Sequence, residues 1–310
     1  MIIAFGKPLK YSGSTTLNLD FADCVQKCWN DSNCAVVYET SNTTCQLFTV
    51  PNITTIQRTY SGNKIAFRTR SNDTECPILE QSPIMTGGTV MGDITRPFPA
   101  GDLNVYISYQ IVLSKGVWTI TKSNNLYCNS YFTFLTRKKG IWCVSLLFWT
   151  GCITQAIASS ACSTFRYNAR LSVIENEKEY ELIRETGMKY LKNQLGNVYN
   201  QLGFWVDGTR KAACSYPKPR SATCNGTNEF TFKDTMMTSP NGYHWISGEP
   251  NGIGNRSLSN SNCLSFKARE TDEVGIDDAP CTLTNTTEVC YAGFFCGLEP
   301  QEMAEMDVYA

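Results

Sequence analysis

The sequence predicts an α+β fold in two parts. A small disulfide-stapled unit with a helix on a sheet comes first, and a larger unit of two helices, short antiparallel sheets and a long loop region follows. Three observations predict this. Fifteen cysteines in 310 residues are dense enough to staple loop-rich folds. Helix-like stretches are few and short, at Asp20–Cys28, Ile153–Cys162 and Asn176–Lys192, with strand-like runs between them. The long remainder after Lys192 shows short strands and irregular loops.

At 42% hydrophobic and 18% charged, a chain of this length fills two modest cores. Lys plus Arg is 27 against Asp plus Glu at 28, which gives no electrostatic reason to expect nucleic acid as a partner. The apolar run Ile141–Trp149 is too short to cross roughly 30 Å of hydrocarbon as a helix. It reads as a buried strand, so no membrane insertion is expected. A single histidine, His244, excludes sites that need two imidazoles.

The cysteine spacings are CxxxC, Cx5C, Cx10C and Cx9C in Asn/Ser/Thr-rich sequence, without the paired CxxC knuckles that zinc prefers, so disulfides are expected. N-x-Ser/Thr acceptor sequences at Asn30, Asn42, Asn52, Asn72, Asn225, Asn255 and Asn285 agree with a secreted or extracellular glycoprotein. Met1–Leu9, MIIAFGKPL, has no basic leader, apolar stretch or cleavage site, so no signal peptide is read there and the assignment rests on the cysteines and acceptor sites.

Residues 1–75 form the first domain. Cys24 and Cys28, four apart on DFADCVQKC, share one helix face, and nested bridges Cys24–Cys45 and Cys28–Cys34 suit strands at Ala35–Tyr38, Gln46–Val50 and Lys64–Phe67. The blocks MIIAFGKPL, DCVQKCWNDSNCAVVYE, TCQLF and KIAFRT, covering residues 1 to about 70, resemble the PAN/apple-like domains of the nematode CW variety. Residues 76–127, opening with Pro77, Pro83, Gly87-Gly88, Pro97 and Pro99, read as a linker with short strands at Val105–Leu113 and Val117–Thr121.

The second domain spans 128–298, and 299–310 is an acidic tail. Cys128 and Cys143 bracket a first strand. The helix Ile153–Cys162 carries Ile153, Ala156, Ile157 and Ala161 on one face, and the helix from Asn176 has acidic residues in its first turn and Tyr180, Leu182, Ile183, Tyr190 and Leu191 for burial. The order of landmarks, with LSVIENEKEYELI, FWVDG at Phe204–Gly208, WISGEPN at Trp245–Asn251, NCLSF around Cys263, IDDAPC at Ile276–Cys281 and AGFFC ending at Cys296, resembles a C-type lectin-like domain. The resemblance implies bridges Cys128–Cys143, Cys162–Cys296 and Cys263–Cys281. Cys214–Cys224 looks like a local staple; Cys76, Cys152 and Cys290 are left unassigned, with Cys152–Cys290 a guess, and the odd total leaves one thiol unpaired or bridging to another chain.

The candidate carbohydrate and metal site is Glu249, Asn251, Asp277 and Asp278, whose side-chain oxygens suit Ca2+. The resemblance implies a cis bond before Pro250, turning Glu249 and Asn251 toward one ion, and a Glu-Pro-Asn order that goes with mannose-type sugars. By themselves, GEPNG is ordinary turn sequence, and Asp277 and Asp278 are neighbours that a strand sends to opposite faces. Two departures from the family pattern stand out: Asp277 takes the place of an amide donor, and Ser261 that of a carboxylate. The cluster Glu270, Asp272 and Glu273 reads as a charged hairpin tip or as extra ligands. His244 beside Trp245 reads as rim packing or a sugar-stacking pair, and Trp205 as core. No nucleophile–base pair, Gly-rich phosphate loop or metalloprotease helix is in the sequence, so no enzyme is expected. The function expected is recognition of glycans or glycoproteins through calcium. The alternative is a calcium-independent module for protein ligands on the same fold.

Overall fold

The computed structural model describes residues 1–70, 82–97, 104–129, 131–166, 168–195, 199–215, 221–252, 261–269 and 274–302. Cys76, Asn72, Asn255, Glu270, Asp272 and Glu273 lie outside them. The chain forms two compact units, Met1–Ser130 with Gln301–Ala310, and Tyr131–Pro300.

The first unit opens with strands β1 (Ile2–Tyr11) and β2 (Thr15–Leu17) and helix α1 (Phe21–Asn30). Strands β3 (Val36–Ser41), β4 (Thr44–Phe48), β5 (Ile53–Arg58) and β6 (Lys64–Phe67) follow. Asp20 caps α1, its carboxylate accepting from the Asp23 N–H at 2.9 Å. Cys24 and Cys28 share the buried face of α1 and are joined to Cys45 and Cys34. The strand β1 runs between β5 and β6. Its outward residues Ile3, Phe5 and Leu9 are exposed, so the apolar–polar alternation that marks a strand is absent from its sequence.

The segment read as a linker holds a short helix α2 (Pro83–Thr86) and three long strands, β7 (Thr89–Pro97), β8 (Asn104–Ser114) and β9 (Val117–Cys128). These extend the first unit's sheet, in the order β2-β4-β3-β6-β1-β5-β9-β8-β7. The reason is alternation: Val105, Ile107, Tyr109 and Ile111 of β8 enter a core shared with Ile53, Ile56, Phe67 and Trp118. Lys115 and Gly116, both at positive φ, make the tight hairpin between β8 and β9. The Trp118 indole N–H donates to the Ile84 carbonyl at 2.8 Å, fixing α2.

The second unit contains β10 (Thr133–Arg137), β11 (Gly140–Phe148), helix α3 (Gln155–Phe165), β12 (Arg170–Leu171), helix α4 (Glu177–Tyr190), β13 (Gln201–Arg210), β14 (Phe230–Thr231), β15 (Cys263–Arg269), β16 (Gly275–Ala279) and β17 (Val289–Leu298). Its main sheet runs β10-β11-β17-β13-β15-β16. Every residue of β17 is buried, and β17 pairs antiparallel with β11 and parallel with β13. Beyond it the chain returns to the first unit, where Gln301 and Glu302, in the segment read as an acidic tail, form β18 against β9.

The structure joins Cys152 to Cys290, Cys162 to Cys296, Cys214 to Cys224 and Cys263 to Cys281, and both Cys128 and Cys143 are disulfide-bonded. Cys128 closes β9 and Cys143 lies within β11, and the strand between them is β10. The buried face of α3 is Ala158, Ala161 and Cys162, while Ile157 is exposed, because the Cys162–Cys296 bridge fixes the rotation of the helix.

Buried Arg137 organises the polar interior. Its guanidinium donates to both Glu179 oxygens at 2.6 and 2.8 Å, to Asp234 at 2.8 Å, to the Ser172 hydroxyl at 3.0 Å and to the Val173 carbonyl at 2.9 Å. This ties the β10–β11 hairpin to α4.

Candidate functional site

The candidate site is built on β15 and β16. Their antiparallel register sets Ser265 opposite Asp277 and Lys267 opposite Gly275, which makes Lys267 the diagonal neighbour of Asp277. The segment before Glu249 lies beside β16: the Ile276 N–H donates to the His244 carbonyl at 2.7 Å and the Ile246 N–H to the Ile276 carbonyl at 3.0 Å. Glycine is required at 275 for this approach, since a Cβ there would stand 2.5 Å from the His244 carbonyl oxygen. The chain then turns through Gly248 at φ +86° and a cis Glu249–Pro250 bond.

The Glu249 carboxylate accepts from the Asn251 backbone N–H and from its side-chain amide, both at 2.8 Å. The Gly252 N–H donates to Asp278 at 3.1 Å. These bonds bring two segments together, so that one carboxylate oxygen from each of Glu249, Asp277 and Asp278 lies within 4.8 Å of the others. The four sequence-predicted residues therefore share one place, at the edge of an open cavity of about 560 Å³ that they line with Ser261 and Lys267.

Three carboxylates this close cannot all ionise freely. Burial, then the Asp277 charge, pushes Glu249 up to about 7, and its carboxyl hydrogen-bonds that of Asp278. Asp278 is also raised, by burial first, with Arg210 opposing and Asp277 adding to the shift.

Two cations balance the cluster. Arg210, at the end of β13, pairs with Asp278 at 3.1 Å and with Glu229. Its Nε donates to the Ser261 carbonyl at 2.9 Å, and its guanidinium lies 4.7 Å from the Phe230 ring centroid. Lys267 reaches Asp277 directly.

Of the other residues singled out, His244 Nε2 lies 2.7 Å from Glu177 and its ring 4.3 Å from that of Tyr180, at the rim of α4 rather than in the cluster. Trp205 is core, stacked on Tyr291 at 4.5 Å and donating to the Ile153 carbonyl. The acceptor residues Asn30, Asn42, Asn225 and Asn285 are exposed and Asn52 is partly so.

Residues 135–299, just over half of the chain, match the family described as C-type lectin domain-containing protein 141/158. The chain belongs to that family. Residues 1–69 match the PAN-like domain, so an N-terminal PAN-like domain precedes the C-type lectin domain. Two solved structures are similar. One is ovocleidin-17, a major protein of the Gallus gallus eggshell calcified layer, at 15% identity and TM-score 0.33, over 55% of this chain and 97% of that one. The other is a point mutant of the human regenerating gene type IV protein, at 14% identity and TM-score 0.28, over 54% of this chain and 95% of that one. A comparison with curated proteins gives no match.

Sequence reasoning missed both cations. Lys267 had a signal: Cys263, Ser265 and Lys267 alternate onto one face of β15, toward a partner strand carrying Asp277. Arg210 had none, because nothing local in GTRKAAC points to Glu229 or Asp278.

Proposed function

We propose that the lectin-like unit recognises glycan hydroxyls, of mannose type first, through a calcium ion held by Glu249, Asn251, Asp277 and Asp278. The observation that carries this is the convergence of three carboxylate oxygens within 4.8 Å. The donor set fits the ion. It is all oxygen, as calcium prefers, and the raised pKa of Glu249 reflects buried negative charge that a cation would neutralise. Bound calcium would supply coordination positions for two adjacent sugar hydroxyls. Glu249 and Asp278 would accept the hydroxyl protons and Asn251 would donate its amide. Asp277 cannot donate when ionised, which weakens the second half of that hydrogen-bond pattern. The unit acts by binding, without a catalytic step. The joined cysteine pairs support an oxidising, extracellular setting.

The test is calcium-dependent thermal unfolding of the oxidised protein, alone and as Glu249→Ala, followed by capture on mannose-type glycans. A calcium-induced rise in Tm that the substitution abolishes supports the reading. A second reading, a calcium-independent module for protein ligands, is favoured by the Lys267–Asp277 pair and by Ser261 in place of a carboxylate. No rise at millimolar calcium would select it.

A further inference from the structure

The two cations at the carboxylate cluster are not equivalent. The Arg210 guanidinium is buried and fixed from several sides, by Glu229, Asp278, the Ser261 carbonyl and the Phe230 ring. Lys267 is a compact charge on a four-carbon stem at the lining of an open cavity, where 13% of its side chain and 10% of the Asp277 side chain remain exposed. Its cross-strand partners are Gly203 and Gly275, so no side chain at either paired position holds the stem. Of the two, Lys267 is the less anchored, with Asp277 as its ion-pair partner among the described residues.

A divalent ion among Glu249, Asp277 and Asp278 would compete with the ammonium for Asp277. Two cations on one carboxylate repel, and in a partly desolvated site that repulsion falls directly on metal affinity. We propose that Lys267 is a tethered counter-ion that neutralises Asp277 in the calcium-free protein, and that its displacement sets the calcium concentration at which the site loads. The inference rests on the calcium reading of this site. It adds a specificity-determining residue that lies outside the Glu-Pro-Asn and Asp-Asp segments.

The experiment is calorimetric titration of the oxidised full-length protein with calcium chloride alone, as wild type and as Lys267→Met, which keeps the aliphatic stem and removes the charge. The expected result is calcium binding by the variant roughly tenfold tighter or more. Alongside it, the calcium-free variant should melt lower than wild type and regain stability with calcium. Binding by the variant alone also supports the inference, and would show that the native lysine blocks the site. Equal or weaker binding by the variant overturns the inference and leaves the calcium reading standing. No binding by either protein overturns both. A measurement on wild type alone guards against a misfolded variant. Reductive methylation of Lys267, followed by mass spectrometry, should accelerate when calcium is added, and unchanged or slower labelling in protein shown to bind calcium overturns the inference.

Discussion

Replacing Glu249 with glutamine should stabilise the calcium-free protein while removing its response to calcium. The reasoning runs through linkage. An acid whose folded-state pKa lies above its unfolded value contributes stability that is complete below the unfolded pKa and lost as pH rises through the folded one. For Glu249 that window runs from about 4.5 to about 7. A shift of that size would be worth roughly 3 kcal/mol in a fully buried group, and the half-exposed position of this side chain reduces it to about 1–2 kcal/mol. Glutamine carries no charge at any of these pH values, so the loss should vanish. Glutamine keeps one acceptor oxygen, so the Asn251 amide must flip for its oxygen to accept from the new side-chain amide, which offsets part of the gain. The assay is calorimetric unfolding of the oxidised chain in a chelator at pH 5, 6, 7 and 8. The wild-type transition of the lectin-like unit should fall relative to that of Glu249→Gln as pH rises, with the variant higher at pH 8. A variant less stable than wild type at pH 8, or parallel pH profiles, would refute the claim that Glu249 is held against its own charge.

Further outcomes test the frame around the site. Arg137→Met leaves Glu179 and Asp234 buried without their cation and should cost about 3–5 kcal/mol, read by calorimetry as a drop of roughly 10 °C in the second unit's transition. Gly275→Ala should push the His244–Ile246 segment away from β16 and abolish the calcium-induced rise in Tm, even where circular dichroism stays native. The acceptor Asn285 lies beside Thr286 and Thr287, which line the cavity, so Asn285→Gln in protein made by a glycosylating host should change capture of mannose-type glycans severalfold, while Asn42→Gln in the first unit should not.

Local pattern made much of the fold readable. The helix α1 is announced by Asp20 as cap and by two cysteines four apart, and α4 by Asn176 with acidic residues behind it. The α+β class and both modules follow from such signals together with the order of landmarks. Punctuation misled in the first unit. The prolines and glycines between residues 77 and 101 outweigh the period-two run Val105, Ile107, Tyr109 and Ile111, so a stretch that supplies half of a core reads as connector. The strand β1 hid for the opposite reason: Ile3, Phe5 and Leu9 are exposed, and apolar residues on both faces erase the alternation.

The site was legible only as far as its acids. Period two sends Asp277 and Asp278 to opposite faces, and each does meet a different cation, Asp277 facing Lys267 and Asp278 facing Arg210. Their oxygens still come within 4.8 Å of one another and of Glu249, which enters from the neighbouring segment beside β16. A motif written along the chain records the acids and cannot record what neutralises them, since Arg210 and Lys267 come from other strands. The charge balance is what separates the two readings of function. Arg210 is committed to Glu229 as much as to Asp278, and among the described residues Lys267 is the cation that pairs with Asp277. A site that needed no metal would gain from making that lysine as fixed as the arginine. On the proposed reading Lys267 is the charge that calcium displaces, a lysine at the cavity lining whose paired strand positions are both glycine.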